Sequence, residues 1–311
     1  MESAPTALLF PGQGSQKVGM GRRLAAHHAV ARATLEEADE ALGIPLARLC
    51  FEGPEAELTR TEHAQPAILA VSVATWRALA AATGVAPRWV AGHSLGEYTA
   101  LVVAGALRFA DALRLVRTRG RLMQGAVPEG VGTMAALLGL EEETVAELCA
   151  AEARGQVVAP ANFNGAGQIV VAGHAAAVAR VAEAARARGG RVLPLAVSAP
   201  FHCALMFPAA AELGRALAAV EVAPLAVPLV SNVDAALHTE PGRVRALLTA
   251  QVTAPVRWEA SMRLLARLGC RRALEVGPGQ ALTKLLQRMR LGIEAVAVGE
   301  GERWAALGTP R

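Results

Sequence analysis

The stretch WVAGHSLGEYTA, residues 89–100, predicts a short buried strand at Trp89–Ala91, a tight turn, and a helix that begins near Gly96. The turn contains Gly92-His93-Ser94-Leu95-Gly96, a GxSxG pentapeptide of the kind found in nucleophile elbows. Its glycines permit the tight turn, and the helix N-terminus directs free N–H groups toward developing negative charge. Ser94 is therefore predicted to be a nucleophile; the alternative is a serine that only caps an ordinary strand–helix turn.

Strands and helices alternate on both sides of this stretch. Ala7–Phe10 is typical of a short buried strand that ends at a proline and a glycine. Further strands are predicted at Pro228–Ser231 and Arg272–Val276, and helices at Met20–Ala33, Gln65–Ala82, Gly96–Ala106 and Phe109–Ala126. Such alternation predicts an α/β fold with a parallel, helix-covered sheet.

The middle of the chain has a different order of elements. Strands are predicted at Thr133–Leu138, Val157–Asn162, Gln168–Ala172 and Arg191–Val197, with helices at Glu141–Ala153 and His174–Arg188. This βαββαβ order is that of the ferredoxin-like split unit. We therefore predict a large catalytic domain formed by residues 1–129 and 198–311, interrupted by a small ferredoxin-like subdomain at 130–197.

Composition excludes several classes of protein. Of 311 residues, 53% are hydrophobic and 19% are charged, which excludes a disordered or fibrous chain. The four cysteines (Cys50, Cys149, Cys203, Cys270) are far apart and have no metal-ligand spacing, so neither a disulfide scaffold nor a metal site is expected. A reducing cytoplasm fits this cysteine pattern.

Charge and hydropathy narrow the expected partners. Aromatic residues are only 4% of the chain and no dense basic block occurs, so nucleic-acid binding is not expected. The net charge of +4 suits small anionic ligands or an acidic partner. The long uncharged run at 192–211 is interrupted by three prolines and the N-terminus has no basic flank, so neither a membrane span nor a signal peptide is expected.

A serine nucleophile needs a base, and the chain contains seven histidines. His202 lies in the proline-constrained loop SAPFHC, residues 198–203, directly after a predicted strand. Because catalytic groups are commonly presented on such loops, His202 is the predicted base, with a buried core histidine as the alternative. His93 adjoins the serine, and its side chain is expected to point away from the hydroxyl.

The third member of a triad is harder to find, because the chain has only three aspartates. Asp39 falls in a charged helix and Asp111 resembles a helix cap, which leaves Asp234 as the plausible orienting acid unless a glutamate serves. An amide or a backbone carbonyl can also fix the histidine tautomer. The scarcity of carboxylates weakens the prediction of an ordinary hydrolase.

Two further features concern the ligand. Arg119 falls on the apolar stripe of its predicted helix, so it needs an anionic partner, either a structural glutamate or a substrate carboxylate. The loop Gly12-Gln13-Gly14-Ser15-Gln16 follows the first strand but fits no phosphate-binding pattern. Its N–H groups can equally complete an oxyanion hole.

Taken together, these motifs resemble the malonyl-CoA:acyl-carrier-protein transacylase family along nearly the whole chain. The resemblance rests on FPGQGSQ from Phe10, GHSLGEY from Gly92, RGRLMQ from Arg119, NFNGAGQ from Asn162, PFHCALM from Pro200, QVTAPVRW from Gln251 and EVGPG from Glu275. It implies an α/β-hydrolase-like large domain and a ping-pong transfer of a malonyl group from malonyl-CoA, through Ser94, to the phosphopantetheine thiol of an acidic acyl carrier protein. No bound cofactor is expected.

The resemblance also implies roles for individual residues. His202 would act as base, Arg119 would hold the malonyl carboxylate, and Gln251 would orient His202 through its backbone carbonyl. The N–H groups of Gln13 and Leu95 would form the oxyanion hole. Further pocket residues would be His93, Phe201, Asn162 and Gln65.

One departure from the family concerns Phe201, because many discrete transacylases have a small residue before the catalytic histidine. A phenylalanine there resembles the malonyl-selecting acyltransferase domains of polyketide synthases. Fatty-acid synthesis and a trans-acting role in polyketide synthesis therefore both stay open. The rival functions are a serine hydrolase of acyl thioesters and, in a different class, an inactive docking module for carrier proteins.

Overall fold

A computed structural model describes residues 4–197, 199–300 and 304 of the chain. Within these residues, one sheet holds the strands β1 (Thr6–Phe10), β2 (Trp89–Gly92), β7 (Leu229–Val230), β8 (Leu237–His238), β9 (Arg272–Glu275) and β10 (Glu294–Ala297). Their spatial order is β10-β9-β1-β2-β7-β8, and every pairing is parallel except that of β7 with β8. Both β1 and β2 are buried along their whole length, as expected for central strands covered on both faces.

The helices around this sheet supply most of the core. In chain order they are α1 (Arg22–His27), α2 (Ala29–Leu42), α3 (Leu46–Glu52), α4 (Glu55–Thr59), α5 (Thr61–Thr83), α6 (Gly96–Val103) and α7 (Phe109–Gly125), followed after the small sheet by α10 (Phe207–Ala218), α11 (Val244–Gln251), α12 (Trp258–Arg267) and α13 (Ala281–Met289). By length and composition α5 could cross a membrane, but 72% of its apolar window is buried inside the protein. It is therefore a core helix.

A second, antiparallel sheet is formed by the middle of the chain. Its elements are β3 (Gly132–Leu138), α8 (Glu142–Glu152), β4 (Val158–Gly165), β5 (Gln168–His174), α9 (Ala175–Ala187) and β6 (Arg191–Pro194). The strand order is β4-β5-β3-β6. The prediction of an α/β protein with a parallel sheet and a small second sheet is confirmed. The predicted domain limits at residues 1, 198 and 311 lie outside the described residues.

Several predicted elements need correction. The helix predicted at Met20–Ala33 is two helices, because His28 has extended backbone angles and its ring packs against Trp304. The strand predicted at Arg191–Val197 ends at Pro194, because the chain then turns and the Val197 N–H donates back to the Leu195 oxygen at 2.9 Å instead of to β3. The helix predicted to reach Ala106 ends at Val103. Helices α3, α4 and α10–α13 and strands β8 and β10 were not predicted.

Candidate active site

Ser94 lies in the turn between β2 and α6, at the carboxyl end of the parallel sheet. Its φ is 53°, a left-handed conformation that non-glycine residues rarely adopt and that is common at functional sites. The turn is so tight that a Cβ on Gly92 would lie 1.9 Å from the backbone of Gly96. The Ser94 N–H donates to Asn232 Oδ1 at 2.7 Å, so the turn is held by the segment that directly follows strand β7.

His202 faces Ser94 from the other side of the site. Ser94 Oγ lies 2.7 Å from His202 Nε2, and His202 Nδ1 lies 2.7 Å from the backbone oxygen of Gln251. Because a carbonyl can only accept, Nδ1 carries the proton and Nε2 is left to accept from the serine. Burial, and then the charge of Arg119, lower the pKa of His202 to about 3, so its imidazole is neutral near pH 7.

Asp234, one of the candidates that the sequence left open for orienting His202, lies in a different cluster, while Gln251, which the family resemblance implied, contacts the histidine. The Asp234 carboxylate lies 3.1 Å from His238 Nε2 and 3.4 Å from Arg243 Nη1, both near the β7–β8 hairpin. The turn after β7 directs Asp234 into this local cluster, while the end of α11 brings the Gln251 carbonyl to His202. A backbone carbonyl was among the alternatives that the sequence left open.

Arg119 lies on α7 and is only 1% exposed. Its Nη1 donates to Gln65 Oε1 at 2.9 Å, and its Nη2 donates to Gln251 Oε1 at 3.0 Å and to Ser94 Oγ at 3.1 Å. All three acceptors are neutral, and in the described part of the chain Arg119 forms no ion pair. Because a buried cation without an anion is costly, this arrangement suits an anionic ligand.

Gly120 explains how Arg119 comes so close to α5. A Cβ at Gly120 would lie 2.6 Å from the backbone oxygen of Thr61, at the start of α5. The missing side chain therefore lets α7 and α5 cross at close range. This crossing places the guanidinium next to Gln65, one turn further along α5.

A cavity of about 460 Å³ opens in front of the serine. Its wall includes Gln13, Ser94, Asn162, Phe201 and His202, as well as His93. Of the residues that the family resemblance assigns to the pocket, His93, Phe201 and Asn162 line the cavity. Gln65 is buried behind Arg119 and reaches the site only through the guanidinium.

The loop after β1 contacts the elbow directly. A Cβ on Gly12 would lie 2.5 Å from the backbone oxygen of His93, so the two loops touch through their backbones. Gln13 is anchored by its side chain, whose Nε2 donates to Thr61 Oγ1 at 3.1 Å. Leu95 is fully buried at the start of α6. The structure thus places Gln13 and Leu95 on the two loops that border the serine.

The His93 ring is turned toward the small sheet. Its Nε2 lies 2.8 Å from Asn164 Oδ1, and the ring packs on Trp258 with 5.5 Å between centroids. Burial lowers the pKa of His93 below its usual value. A neutral ring held between β4 and α12 fits the expectation that this side chain points away from the Ser94 hydroxyl.

Sequence reasoning missed two polar residues beside the serine. Glu97 is 1% exposed, and its Oε2 accepts from Gln251 Nε2 at 2.6 Å. Asn232 donates from Nδ2 to the Gly92 oxygen at 2.7 Å and from its N–H to Glu97 Oε2 at 3.3 Å. Burial raises the pKa of Glu97 to about 7. Asn232 was detectable as a polar residue directly after a predicted strand, and Glu97 as the only carboxylate in GHSLGEY.

A serine within hydrogen-bond distance of a neutral, oriented histidine is the arrangement of enzymes that form covalent serine intermediates. The chain matches the acyl transferase domain family over residues 7–306 and belongs to this family. The malonyl CoA-acyl carrier protein transacylase of Salmonella typhimurium is 48% identical over 295 residues, covering 94% of this chain and 96% of that protein. The transacylase of the same name from Bacillus subtilis strain 168 is 43% identical over 298 residues, covering 95% and 94%.

Solved structures agree with this assignment. An acyl carrier protein S-malonyltransferase from Vibrio cholerae is 45% identical, with a TM-score of 0.95 over 98% of this chain and all of that one. A malonyl-transacylase in complex with a type II polyketide synthase acyl-carrier protein is 44% identical, with a TM-score of 0.95 over 98% of this chain and 99% of that one. The family that the sequence motifs resemble is thereby confirmed.

Proposed function

We propose that this protein transfers a malonyl group from malonyl-CoA to the phosphopantetheine thiol of an acyl carrier protein. One observation carries the proposal: Ser94 Oγ lies between His202 Nε2, at 2.7 Å, and Arg119 Nη2, at 3.1 Å. A base and a cation thus flank the same hydroxyl at the end of a cavity. The base can take the Ser94 proton during acyl transfer, and the cation can bind an acyl group that carries a negative charge of its own.

In the first half-reaction His202 Nε2 takes the Ser94 proton as the hydroxyl oxygen attacks the thioester carbonyl. The negative charge that develops on the carbonyl oxygen is stabilised by the N–H groups of Gln13 and Leu95. Coenzyme A leaves as its thiol after it takes the proton from His202. The Gln251 carbonyl keeps the imidazole in the required tautomer throughout.

Arg119 selects the acyl group. In a malonyl ester one methylene separates the free carboxylate from the ester carbonyl, so the carboxylate stays within reach of a guanidinium that already contacts Ser94 Oγ. Arg119 exchanges its neutral partners for two charge-assisted hydrogen bonds to this carboxylate. Phe201 lies beside His202 in the cavity wall and limits the room around the acyl α-carbon.

In the second half-reaction the carrier's phosphopantetheine thiol gives its proton to His202 and attacks the malonyl ester. Ser94 recovers its proton and is free for another cycle. Because the serine carries the acyl group and the histidine carries the proton, we propose that the reaction uses neither a bound cofactor nor a metal ion.

The proposed macromolecular partner is an acidic acyl carrier protein, which suits the net charge of +4. The relative that was solved with a carrier protein supports this partner. We place the reaction in the cytoplasm and propose fatty-acid synthesis as the first candidate pathway, because the motifs of this chain resemble the transacylase family of fatty-acid and polyketide synthesis. Transfer to polyketide carriers is the second candidate, favoured by Phe201 and by the polyketide carrier in that complex.

The test is the intact mass of the protein after incubation with malonyl-CoA or acetyl-CoA. We expect a malonyl adduct that persists in buffer and disappears when phosphopantetheinylated carrier protein is added, with the label appearing on the carrier. The carrier without phosphopantetheine is the matched control and should leave the adduct in place. An adduct that disappears without a carrier would indicate the serine hydrolase, and no adduct at all would indicate the docking module.

A further inference from the structure

Glu97 is a buried carboxylate that the proposed reaction does not use. It lies on α6, one helical turn after Ser94, and it is 1% exposed. Its Oε2 accepts from the Gln251 side chain at 2.6 Å and from the Asn232 N–H at 3.3 Å. Burying a carboxylate is costly unless hydrogen bonds compensate for its lost hydration, so the two donors that Glu97 accepts from are needed to keep it in the site.

The Gln251 side chain links this carboxylate to the arginine. Its Nε2 donates to Glu97 Oε2 at 2.6 Å and to the Ser94 backbone oxygen at 3.0 Å. The Ser94 backbone oxygen can only accept a hydrogen bond, and so can the Glu97 carboxylate while it is ionised. The amide nitrogen of Gln251 must therefore face these two groups. The amide oxygen then faces Arg119 Nη2, which donates to it at 3.0 Å.

We propose that Glu97 is a positioning residue that fixes the Gln251 amide and thereby aims Arg119 at the substrate carboxylate. This inference rests on the proposed function of Arg119. Gln251 then has two separate duties: its backbone oxygen orients His202, and its side-chain oxygen, held by Glu97, orients the guanidinium.

Gln251 also separates the two charges. A carboxylate in direct contact with Arg119 would form a salt bridge and compete with the malonyl carboxylate for the same donors. With a neutral amide between them, Glu97 provides nearby negative charge while the guanidinium keeps only neutral partners that a substrate can displace. The charge stabilises the buried arginine without occupying the ligand site.

The experiment compares Glu97→Met, which removes the acceptor but keeps the volume, with Glu97→Gln, which keeps an acceptor oxygen. We expect Glu97→Met to lower kcat/KM for malonyl-CoA roughly tenfold or more, because the acceptor that fixes the Gln251 amide is lost. Acetyl-CoA has no carboxylate for Arg119 to bind, so its kcat/KM should change less than about threefold. Glu97→Gln should retain most of the malonyl activity.

A double-mutant cycle with Gln251→Met tests the connection, since that variant keeps the backbone carbonyl that orients His202. In the Gln251→Met background, Glu97→Met should cause almost no further loss of malonyl transfer. Independent, additive losses would overturn the proposal, as would equal losses for malonyl-CoA and acetyl-CoA. The wild-type malonyl adduct is measured first, because its absence would refute the proposed function rather than the role of Glu97.

The melting temperature of each variant is measured alongside its kinetics, to show that the variant is folded. If Glu97→Met does not fold, Glu97→Gln provides the test through its pH profile. Loss of the carboxylate removes a group with a pKa of about 7 from the site. The malonyl-specific activity of Glu97→Gln should then vary less between pH 6 and 8 than that of the wild type. A pH dependence that changes equally for malonyl-CoA and acetyl-CoA would overturn the proposal, because an effect through Arg119 requires the malonyl carboxylate.

Discussion

The two halves of the active site are constructed in different ways. Ser94 and His202 are both held by local backbone turns, and both adopt left-handed φ angles, 53° and 60°. Arg119 sits in the middle of a regular helix, and its guanidinium is oriented by side chains from other elements, Gln65 on α5 and Gln251 on α11, besides its contact with Ser94 Oγ. The reactive pair thus depends on turns, while recognition of the substrate carboxylate depends on how helices pack. The two halves should fail differently when they are changed.

Ser94→Ala should have the largest effect and should remove the reactive half alone. No acyl-enzyme can form without the hydroxyl, so labelling by both malonyl-CoA and acetyl-CoA should disappear. Intact mass spectrometry checks this, with circular dichroism as the control for folding. A stable malonyl label on the variant would place the nucleophile elsewhere.

Arg119→Ala should affect mainly the recognition half. Truncating one partner of a desolvated charge pair costs several kcal/mol, so kcat/KM for malonyl-CoA should fall roughly 100-fold or more. Transfer from acetyl-CoA should change little or even increase. Arg114→Ala is the matched control, because Arg114 lies on the same helix with an exposed side chain. Equal losses with both substrates would mean that Arg119 is only structural.

Phe201→Ser tests whether selection also depends on the loop that carries His202. The ring should exclude the extra methyl group of methylmalonyl-CoA, and a difference of this size is worth about 1–3 kcal/mol, or roughly 10- to 200-fold in kcat/KM. The variant should narrow the preference for malonyl-CoA, chiefly by raising the methylmalonyl rate.

Phe207→Ser is a suitable control for that variant, because Phe207 is 63% exposed and is not part of the cavity wall. If Phe201 only packs the histidine loop, both substrates should slow down alike and the ratio of their kcat/KM values should stay the same.

The smallest expected effect is that of the Arg119 charge on the pKa of His202, and it connects the recognition half of the site to the reactive half. Burial and the charge of Arg119 together lower the pKa of His202 to about 3, well below the usual value of 6.5. The unfolded chain therefore binds a proton that the folded chain does not, so His202 makes stability fall as the pH drops below 6.5 toward 3. Arg119→Met keeps the bulk but removes the charge, so it should raise this pKa.

Titration of His202 by NMR in the wild type and in Arg119→Met checks the electrostatic effect directly. A matching pKa in both proteins would show that burial alone sets the protonation of His202. The two halves of the site would then be electrostatically independent.

Some elements of the fold could be predicted from the sequence and others could not. Strand β2, helix α6 and the chain order of the strands and helices in the middle segment follow from short periodic segments, and the limits of β2 and α6 were predicted within a few residues. The break at His28 could not be predicted, because it depends on contact with Trp304, more than two hundred residues further along the chain. Strand β7 has only two residues in its ladder, too few for a periodic pattern to give its limits.

The sequence by itself determined the α/β class, the serine turn, and the presence of an arginine on an apolar helix stripe. These features depend on neighbouring residues, whose spacing fixes which side chains share a face. Residue spacing left Asp234 and a backbone carbonyl both open as partners of His202, and the family resemblance implied Gln251. Only the tertiary structure placed the Gln251 carbonyl against His202 Nδ1 and Glu97 behind Gln251. These contacts join residues 49 and 154 positions apart, so they depend on where the helices end in space, which local spacing does not specify.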